Sequence, residues 1–146
     1  MFEQLQQTSS AMLAPVIALV LWTFVMWTWM YATRIPAILS SRMRLDPNAP
    51  RGAQMNELPP NVRWKADNYN HLFEQPTLFY AVALVLALAR DNSNLALGLA
   101  WAYVVLRVVH SLWQALVNVI AIRFYLFAAS SLVLFVLALK AAFRVF

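Results

Sequence analysis

The stretch NHLFEQPTLFY, residues 70–80, places a histidine and a carboxylate at the start of a long apolar run. A charged side chain at the centre of a bilayer costs about 2.5–3.5 kcal/mol on insertion scales, so such a residue needs a partner or a function. His71 and Glu74 share one helix face with Asp67 and Asn70, because all four fall within an arc of about 100°. This face could bind a polar ligand or move a proton, since imidazole titrates near neutral pH.

A second polar stripe lies further along the chain, within residues 95–118. Its members are spaced four, three, four and four residues apart: Tyr103, Arg107, His110, Gln114 and Asn118. At 3.6 residues per turn they share an arc of about 80° on one helix. If the two helices are antiparallel, Glu74 lies near the depth of Arg107 and His110. We therefore expect the carboxylate and the guanidinium to pair or to share a wet cavity.

These polar groups lie in an otherwise apolar chain of 146 residues, of which 62% are hydrophobic and 12% charged. Soluble domains average about 45–50% apolar and about 25% charged residues. An apolar stretch of about 20 residues can cross the hydrocarbon core, and the sequence contains four: 11–33, 68–90, 95–118 and 121–143. These stretches occupy most of the chain. We therefore predict a single all-α domain, a polytopic membrane protein with a bundle of four transmembrane helices.

The segment 34–67 between the first two spans is basic and rich in proline. Its cations are Arg34, Arg42, Arg44, Arg51, Arg63 and Lys65. The positive-inside rule predicts that this segment is cytoplasmic and that both termini lie on the opposite side; in a bacterium the membrane would be the inner cell membrane. This topology excludes a nucleic-acid binder. Because of the prolines, we expect a short helix at 37–44 followed by irregular chain up to residue 67.

The residue types missing from the sequence narrow the chemistry further. There is no cysteine, which excludes disulfides and a thiol nucleophile carried by the protein. The two histidines have a single nearby acid, so we predict no metal site. The leader 1–10 has an acid and no base, and the following apolar run is too long for a signal peptide, so we expect the first span to be retained.

Two motifs resemble those of the membrane-associated proteins in eicosanoid and glutathione metabolism. NHLFEQPTLFY is similar to the Asn-x-x-Glu of that family, with proline and aromatic residues following, at its second helix. WAYVVLRVVHSLWQALVNVIAIRF is similar to its third helix and to the arginine that begins the fourth. The resemblance implies a left-handed four-helix bundle that forms a homotrimer. It also implies glutathione as co-substrate, bound between subunits near one membrane face, with membrane lipids and a hydrophobic small molecule as further partners.

The resemblance assigns roles to residues of the first two spans. Glu74 resembles the carboxylate that holds the amino group of glutathione. Either His71 or the adjacent Asn70 occupies the position of the asparagine in the motif. Arg34 resembles the arginine that contacts the ligand at the end of the first helix.

The last two spans contribute the remaining candidates. Arg107 matches the buried arginine of the third helix, and His110 and Gln114 replace a pair of tyrosines that many glutathione-binding members carry. Arg123 resembles the arginine credited with activating the thiol. A guanidinium beside a thiol favours the reactive thiolate, so Arg123 is the candidate catalytic residue.

Three functions remain open from the sequence. The first is a glutathione-dependent membrane transferase or peroxidase that acts on hydrophobic electrophiles. The second is a non-catalytic lipid-binding or scaffold protein, which is favoured by Asp67 where an arginine for a glutathione carboxylate would be expected. The third is a small transporter or proton pathway that uses Glu74, His71 and His110.

Overall fold

The computed structural model describes residues 11–91 and 93–146, so the leader 1–10 lies outside the described residues. The protein is 80% helical with no strand in its described part. Its helices are α1 (Leu13–Ser40), α2 (Pro60–His71), α3 (Gln75–Leu88), α4 (Asn94–Leu116) and α5 (Ile120–Val145), with one 3₁₀ turn at Gln54–Glu57. With α2 and α3 counted as one span, four helices of the described chain can cross a membrane. The predicted all-α class is confirmed, and the protein is an integral multi-pass membrane protein in contact with lipid.

The connection between the first two spans is shorter than the sequence suggested. Helix α1 continues through Pro36 to Ser40 and ends where Arg42 adopts a left-handed conformation with φ 52°. We expected irregular chain up to residue 67, but α2 already begins at Pro60. Proline is favourable at the first position of a helix, because the amide hydrogen it lacks would have no partner there. The connection is therefore 41–59.

The second span is interrupted between α2 and α3, just before Pro76. Proline has no amide hydrogen, so the carbonyl of Leu72 loses its helical partner. The amide of Glu74 bonds instead to the carbonyl of His71, three residues back, at 3.3 Å. Glu74 itself has ψ −102°, far from helical. The helix tightens, stops, and restarts at Gln75, which turns Glu74 away from the direction that a continuous helix would give it.

Helix α4 is the central element and contacts α1, α2 and α5. Four members of its predicted polar stripe are buried: Tyr103, Arg107, His110 and Gln114. The ring of Phe79 stacks on Tyr103 with 4.6 Å between centroids, so α3 also packs near this face. The fifth member, Asn118, lies in the turn after α4 with φ 58°. The polar face that the helical spacing grouped together is thus the buried face of α4.

The bundle has two ends that differ in their connections. We call the end with the connection 41–59 and the short turn 117–119 the loop end. The opposite end, with the connection 89–93 and the last turn of α5, is the turn end. Because α4 ends and α5 begins at the loop end, the first turn of α5 lies beside the junction of α2 and α3.

Candidate functional site

A cavity of about 310 Å³ opens at the loop end, lined by His71, Ile120, Arg123, Phe124 and Phe127. We call it the His71 cavity. His71 is the last residue of α2, and the other four residues belong to the first half of α5. Two of the predicted site residues, one histidine and one arginine from distant parts of the sequence, thus line the same space.

The imidazole of His71 is held in one orientation by three neighbours. Its Nδ1–H donates to Oε2 of Glu74 at 2.6 Å. Its ring packs against His110 and Phe127, with centroid distances of 5.1 and 5.5 Å. The side chain of Glu74 is 66% exposed, so the His71–Glu74 pair lies at the surface of the single chain. With Nδ1 bonded to the carboxylate, Nε2 is the ring nitrogen that remains for a ligand.

Arg107 is fully buried behind His71. Its Nη2 donates to the backbone carbonyl of His71 at 3.4 Å, and its guanidinium lies 5.9 Å from the Tyr103 ring and 5.7 Å from the Phe127 ring. The break before α3 explains this contact, because it leaves the carbonyl of His71 without a full helical hydrogen bond. A guanidinium over two aromatic faces gains cation–π attraction in a desolvated setting.

We expected Glu74 and Arg107 to form an ion pair or to share a wet cavity, and the direct ion pair is not formed. Within the described residues, the salt bridges are His71–Glu74 and Asp91–Lys140. His71 connects the two expected partners instead, since its ring bonds to Glu74 and its carbonyl accepts from Arg107. The cause is local, because the break before Pro76 turns Glu74 outwards.

Arg123 lies in the first turn of α5, at the mouth of the His71 cavity. Its Nη1 donates to Oδ1 of Asn118 at 2.7 Å, and this bond holds the guanidinium beside the turn. The amides at a helix start also carry partial positive charge. The guanidinium of Arg123 and the amides at the start of α5 together favour an anion in the His71 cavity. A thiolate is an anion that needs such stabilisation.

The other candidates are not part of the cavity lining of a single chain. His110 contacts the cavity indirectly through the His71 ring. Gln114 is buried one turn further along α4, and Asn70 is exposed on the outer face of α2. Arg34 lies near the end of α1 and is half-buried. Of the two alternatives for the asparagine position of the motif, His71 is the one that lines the cavity.

Sequence reasoning missed a second polar network beside the site. Nε2 of Gln75 donates to Oγ of Ser131 at 2.6 Å, and Oε1 of Gln75 accepts from the Tyr103 hydroxyl at 3.4 Å. Asn68 is fully buried, and its amide has no hydrogen-bond partner among the described residues. The sequence could have indicated that Asn68 and Gln75 face the core. They are seven residues apart and lie on either side of buried Leu72, at the spacing of one helix face.

Within the parts of the chain that the structure describes, no three histidine, aspartate or glutamate side chains come together as metal ligands would. The polar groups of the cavity are instead one imidazole and one guanidinium, with a carboxylate at its edge. This set suits an organic ligand that carries both an ammonium group and anionic groups, since each charge of such a ligand finds an opposite charge.

Comparison with known families gives one match. The MAPEG family model matches residues 12–143, nearly the whole chain. Searches of curated proteins and of solved structures each gave no significant match. The resemblance noted from the two sequence motifs is thereby confirmed, and the chain belongs to the MAPEG family.

Proposed function

We propose that this protein is a glutathione-dependent membrane transferase or peroxidase that acts on hydrophobic electrophiles. The observation that carries the proposal is the His71 cavity, where His71 and Arg123 from two helices meet beside the exposed carboxylate of Glu74. Membership of a family that is generally linked to glutathione supports this ligand. Glutathione also brings the thiol that the protein, with no cysteine, does not have.

The charges of glutathione match those of the site. Its ammonium group suits Glu74, whose carboxylate is mostly exposed and keeps one oxygen, Oε1, outside the bond to His71. Its thiolate suits Arg123 at the start of α5. Its two carboxylates need cations, and half-buried Arg34 is the candidate for one of them. Arg107 is fully buried and acts on the site through the backbone carbonyl of His71. Charge-assisted hydrogen bonds of this kind are roughly twice as strong as neutral ones.

The chemistry that follows is nucleophilic attack by sulfur. Arg123 favours the thiolate over the thiol, and the thiolate attacks an electrophilic carbon or the oxygen of a hydroperoxide. The substrate is hydrophobic because the site adjoins membrane-spanning helices and is lined by Phe124 and Phe127. Such a substrate enters laterally from the bilayer.

The same geometry supports assembly as a homotrimer. Asp67, Asn70 and Glu74 are all exposed on one face of the chain, next to apolar α3. Contact between lipid and polar side chains within a membrane-spanning segment is unfavourable in free energy. A neighbouring subunit that covers this face would place glutathione between subunits, and Arg34, which does not line the cavity of its own chain, could then contribute from the neighbour.

Calorimetric titration of the purified protein in detergent with glutathione tests the proposal. The wild type should bind, and Glu74→Gln should weaken binding by about 10- to 100-fold, since a hydrogen bond to a charged group contributes about 1.5–3 kcal/mol. Glu57→Gln is the matched control, because it removes an exposed carboxylate from the loop end without touching the lining of the His71 cavity. No binding by well-folded wild-type protein would refute the proposal.

One observation favours a second candidate, a non-catalytic lipid-binding protein. A cavity of about 180 Å³ between α1 and the α2–α3 junction is lined by aromatic and aliphatic side chains that include Phe24, Trp27 and Phe73. Its lining has no charged residue, which suits an acyl chain or an apolar ring. If this is the functional site, Glu74→Gln and Arg123→Ala will leave ligand binding unchanged, whereas Trp27→Ala will weaken the binding of a fluorescent fatty acid.

A further inference from the structure

The chain carries a histidine where the motif it resembles has an asparagine. Both side chains can donate a hydrogen bond to a neighbouring carboxylate. Imidazole can in addition accept and release a proton near neutral pH, which a carboxamide cannot do. The histidine at residue 71 therefore adds proton-transfer chemistry at a position where the motif has a carboxamide that does not titrate.

The geometry of His71 is that of an oriented base. Glu74 takes the Nδ1–H at 2.6 Å, and the rings of His110 and Phe127 pack against the imidazole. A carboxylate on Nδ1 fixes the tautomer in which Nε2 accepts a proton, and it stabilises the imidazolium that forms. His71 lines the same cavity of about 310 Å³ as Arg123.

The charged and titratable groups around His71 come from three elements. Glu74 is at the start of α3, Arg107 and His110 are on α4, and Arg123 is on α5. The two guanidinium groups favour the neutral imidazole, which is the form that accepts a proton. Glu74 has the opposite effect and stabilises the protonated form once the proton has moved.

We propose that His71 is a catalytic base that takes the thiol proton of bound glutathione, and that Glu74 is its positioning residue. This inference rests on the proposed function and deepens it. The S–H bond breaks, the proton moves to Nε2, and sulfur keeps the electron pair. The thiolate then lies between the imidazolium and Arg123. The positive charges of the imidazolium and of Arg123 are then balanced by the negative charges of the thiolate and of the Glu74 carboxylate.

The step can be followed with 1-chloro-2,4-dinitrobenzene as the hydrophobic electrophile. The thiolate forms an S–C bond with the ring, the C–Cl bond breaks, and chloride leaves with the electron pair. The imidazolium of His71 returns its proton to water, which completes the cycle without an oxidant or a reductant. General base catalysis contributes about 10²–10⁴-fold to such reactions.

The decisive variant is His71→Asn, which restores the residue of the motif. It should change the Kd for glutathione by less than about threefold, because asparagine still donates to Glu74. It should lower kcat at neutral pH by about 10²-fold and regain activity as the pH rises, because hydroxide then supplies the thiolate. If wild type and His71→Asn have the same kcat and the same pH–rate profile, the assignment of His71 as a base is overturned.

Further variants separate the possible failures. His71→Gln should reproduce the effect of His71→Asn, and thermal unfolding checks that both variants are folded. Loss of glutathione binding in both variants would make His71 a binding residue and overturn the inference. Wild-type protein that does not bind glutathione would refute the proposed function itself. Glutathione binding by the wild type, combined with equal rates in wild type and His71→Asn, would refute only the base.

The positioning role of Glu74 has its own readout. Glu74→Gln should shift the pH–rate profile in the same direction as His71→Asn, and Glu74→Asp should restore part of the shift because it keeps a carboxylate. Glu57→Gln, which removes an exposed carboxylate at the loop end outside the lining of the His71 cavity, should leave the profile unchanged. If Glu74→Gln alters only the Kd for glutathione and not the pH profile, Glu74 binds the ligand without orienting the base.

Discussion

The two ends of the bundle both gather charged side chains, but at the turn end the buried carboxylate, Asp91, has its partners within the chain. Asp91 accepts a hydrogen bond from Lys140 Nζ at 2.9 Å and another from the amide of Ser93 at 3.0 Å. Burial alone would raise the pKa of Asp91, but the hydrogen bonds from Ser93 and Lys140 and the charge of Lys140 lower this pKa to about 2. The pair connects the 89–93 connection to α5.

The loop end has more cations than its own carboxylates can satisfy. Buried Arg107 keeps Nε and Nη1 without a hydrogen-bond partner in the described residues, and Arg123 keeps Nε without one. Glu74, the nearest carboxylate, bonds to His71 instead. Unpaired buried donors cost about 1–3 kcal/mol each, so a set of them at one end is unfavourable unless a ligand supplies acceptors. The paired charges of the turn end contribute to stability, whereas the loop end is where we propose that a ligand binds.

The largest expected effect is the loss of turnover when Arg123, at the loop end, is substituted. Arg123→Ala should lower turnover of glutathione with 1-chloro-2,4-dinitrobenzene by about 10²-fold or more, because the thiolate loses its guanidinium. Arg144→Ala is the matched control, since it removes an exposed cation from the turn end of the same helix. Equal losses in both variants would show that overall charge, rather than the His71 cavity, governs the rate.

At the turn end the expected effect is on stability. Asp91→Asn leaves Lys140 without its carboxylate and should lower the free energy of unfolding by about 2 kcal/mol, since one pKa unit corresponds to about 1.4 kcal/mol. Thermal unfolding in detergent measures this change, and glutathione binding should be unaffected. The double variant Asp91→Asn/Lys140→Met should recover part of the loss, because no unpaired charge remains. No recovery would mean that the contact to Ser93 matters more than the ion pair.

The sequence predicted the fold well because the fold depends on apolar length. Four runs of the chain are long enough to span a bilayer, and the spacing along α4 placed Tyr103, Arg107, His110 and Gln114 on one face, which the structure buries. These properties follow from helix geometry alone. Family membership was also accessible, because the two motifs are continuous in the sequence.

The contacts of the site depended on details that spacing does not encode. Depth along two helices predicted a common level for Glu74 and Arg107, and both contact His71, but the break before Pro76 decides where the carboxylate points. The non-helical ψ of Glu74, −102°, directs it to His71. Asn118 was recognised as polar, but its role as the acceptor for Arg123 depends on the left-handed turn after α4. Residue spacing alone does not predict such local dihedral angles.

Stability should also depend on pH through the turn end. The pKa of Asp91 is lowered from its ordinary value of 3.8 to about 2, so its contribution is fully present above pH 3.8 and is lost as the pH falls through about 2. The difference in melting temperature between wild type and Asp91→Asn should therefore shrink as the pH is lowered through that window. A difference that stays constant down to pH 2 would show that Asp91 does not act through its charge.

The smallest expected effect concerns the helix break that shapes the loop end. Pro76→Ala restores an amide that can bond to the carbonyl of Leu72, which favours a continuous helix and withdraws the carbonyl of His71 from Arg107. We expect glutathione affinity to fall about threefold, while the free energy of unfolding changes by less than about 1 kcal/mol.

Pro15→Ala is the matched control, because Pro15 is also a buried proline in the first turn of a helix but lies at the turn end. Calorimetry on both variants separates the two ends. If Pro15→Ala weakens glutathione binding as much as Pro76→Ala does, the affinity depends on the whole bundle, and the break before α3 does not shape the site.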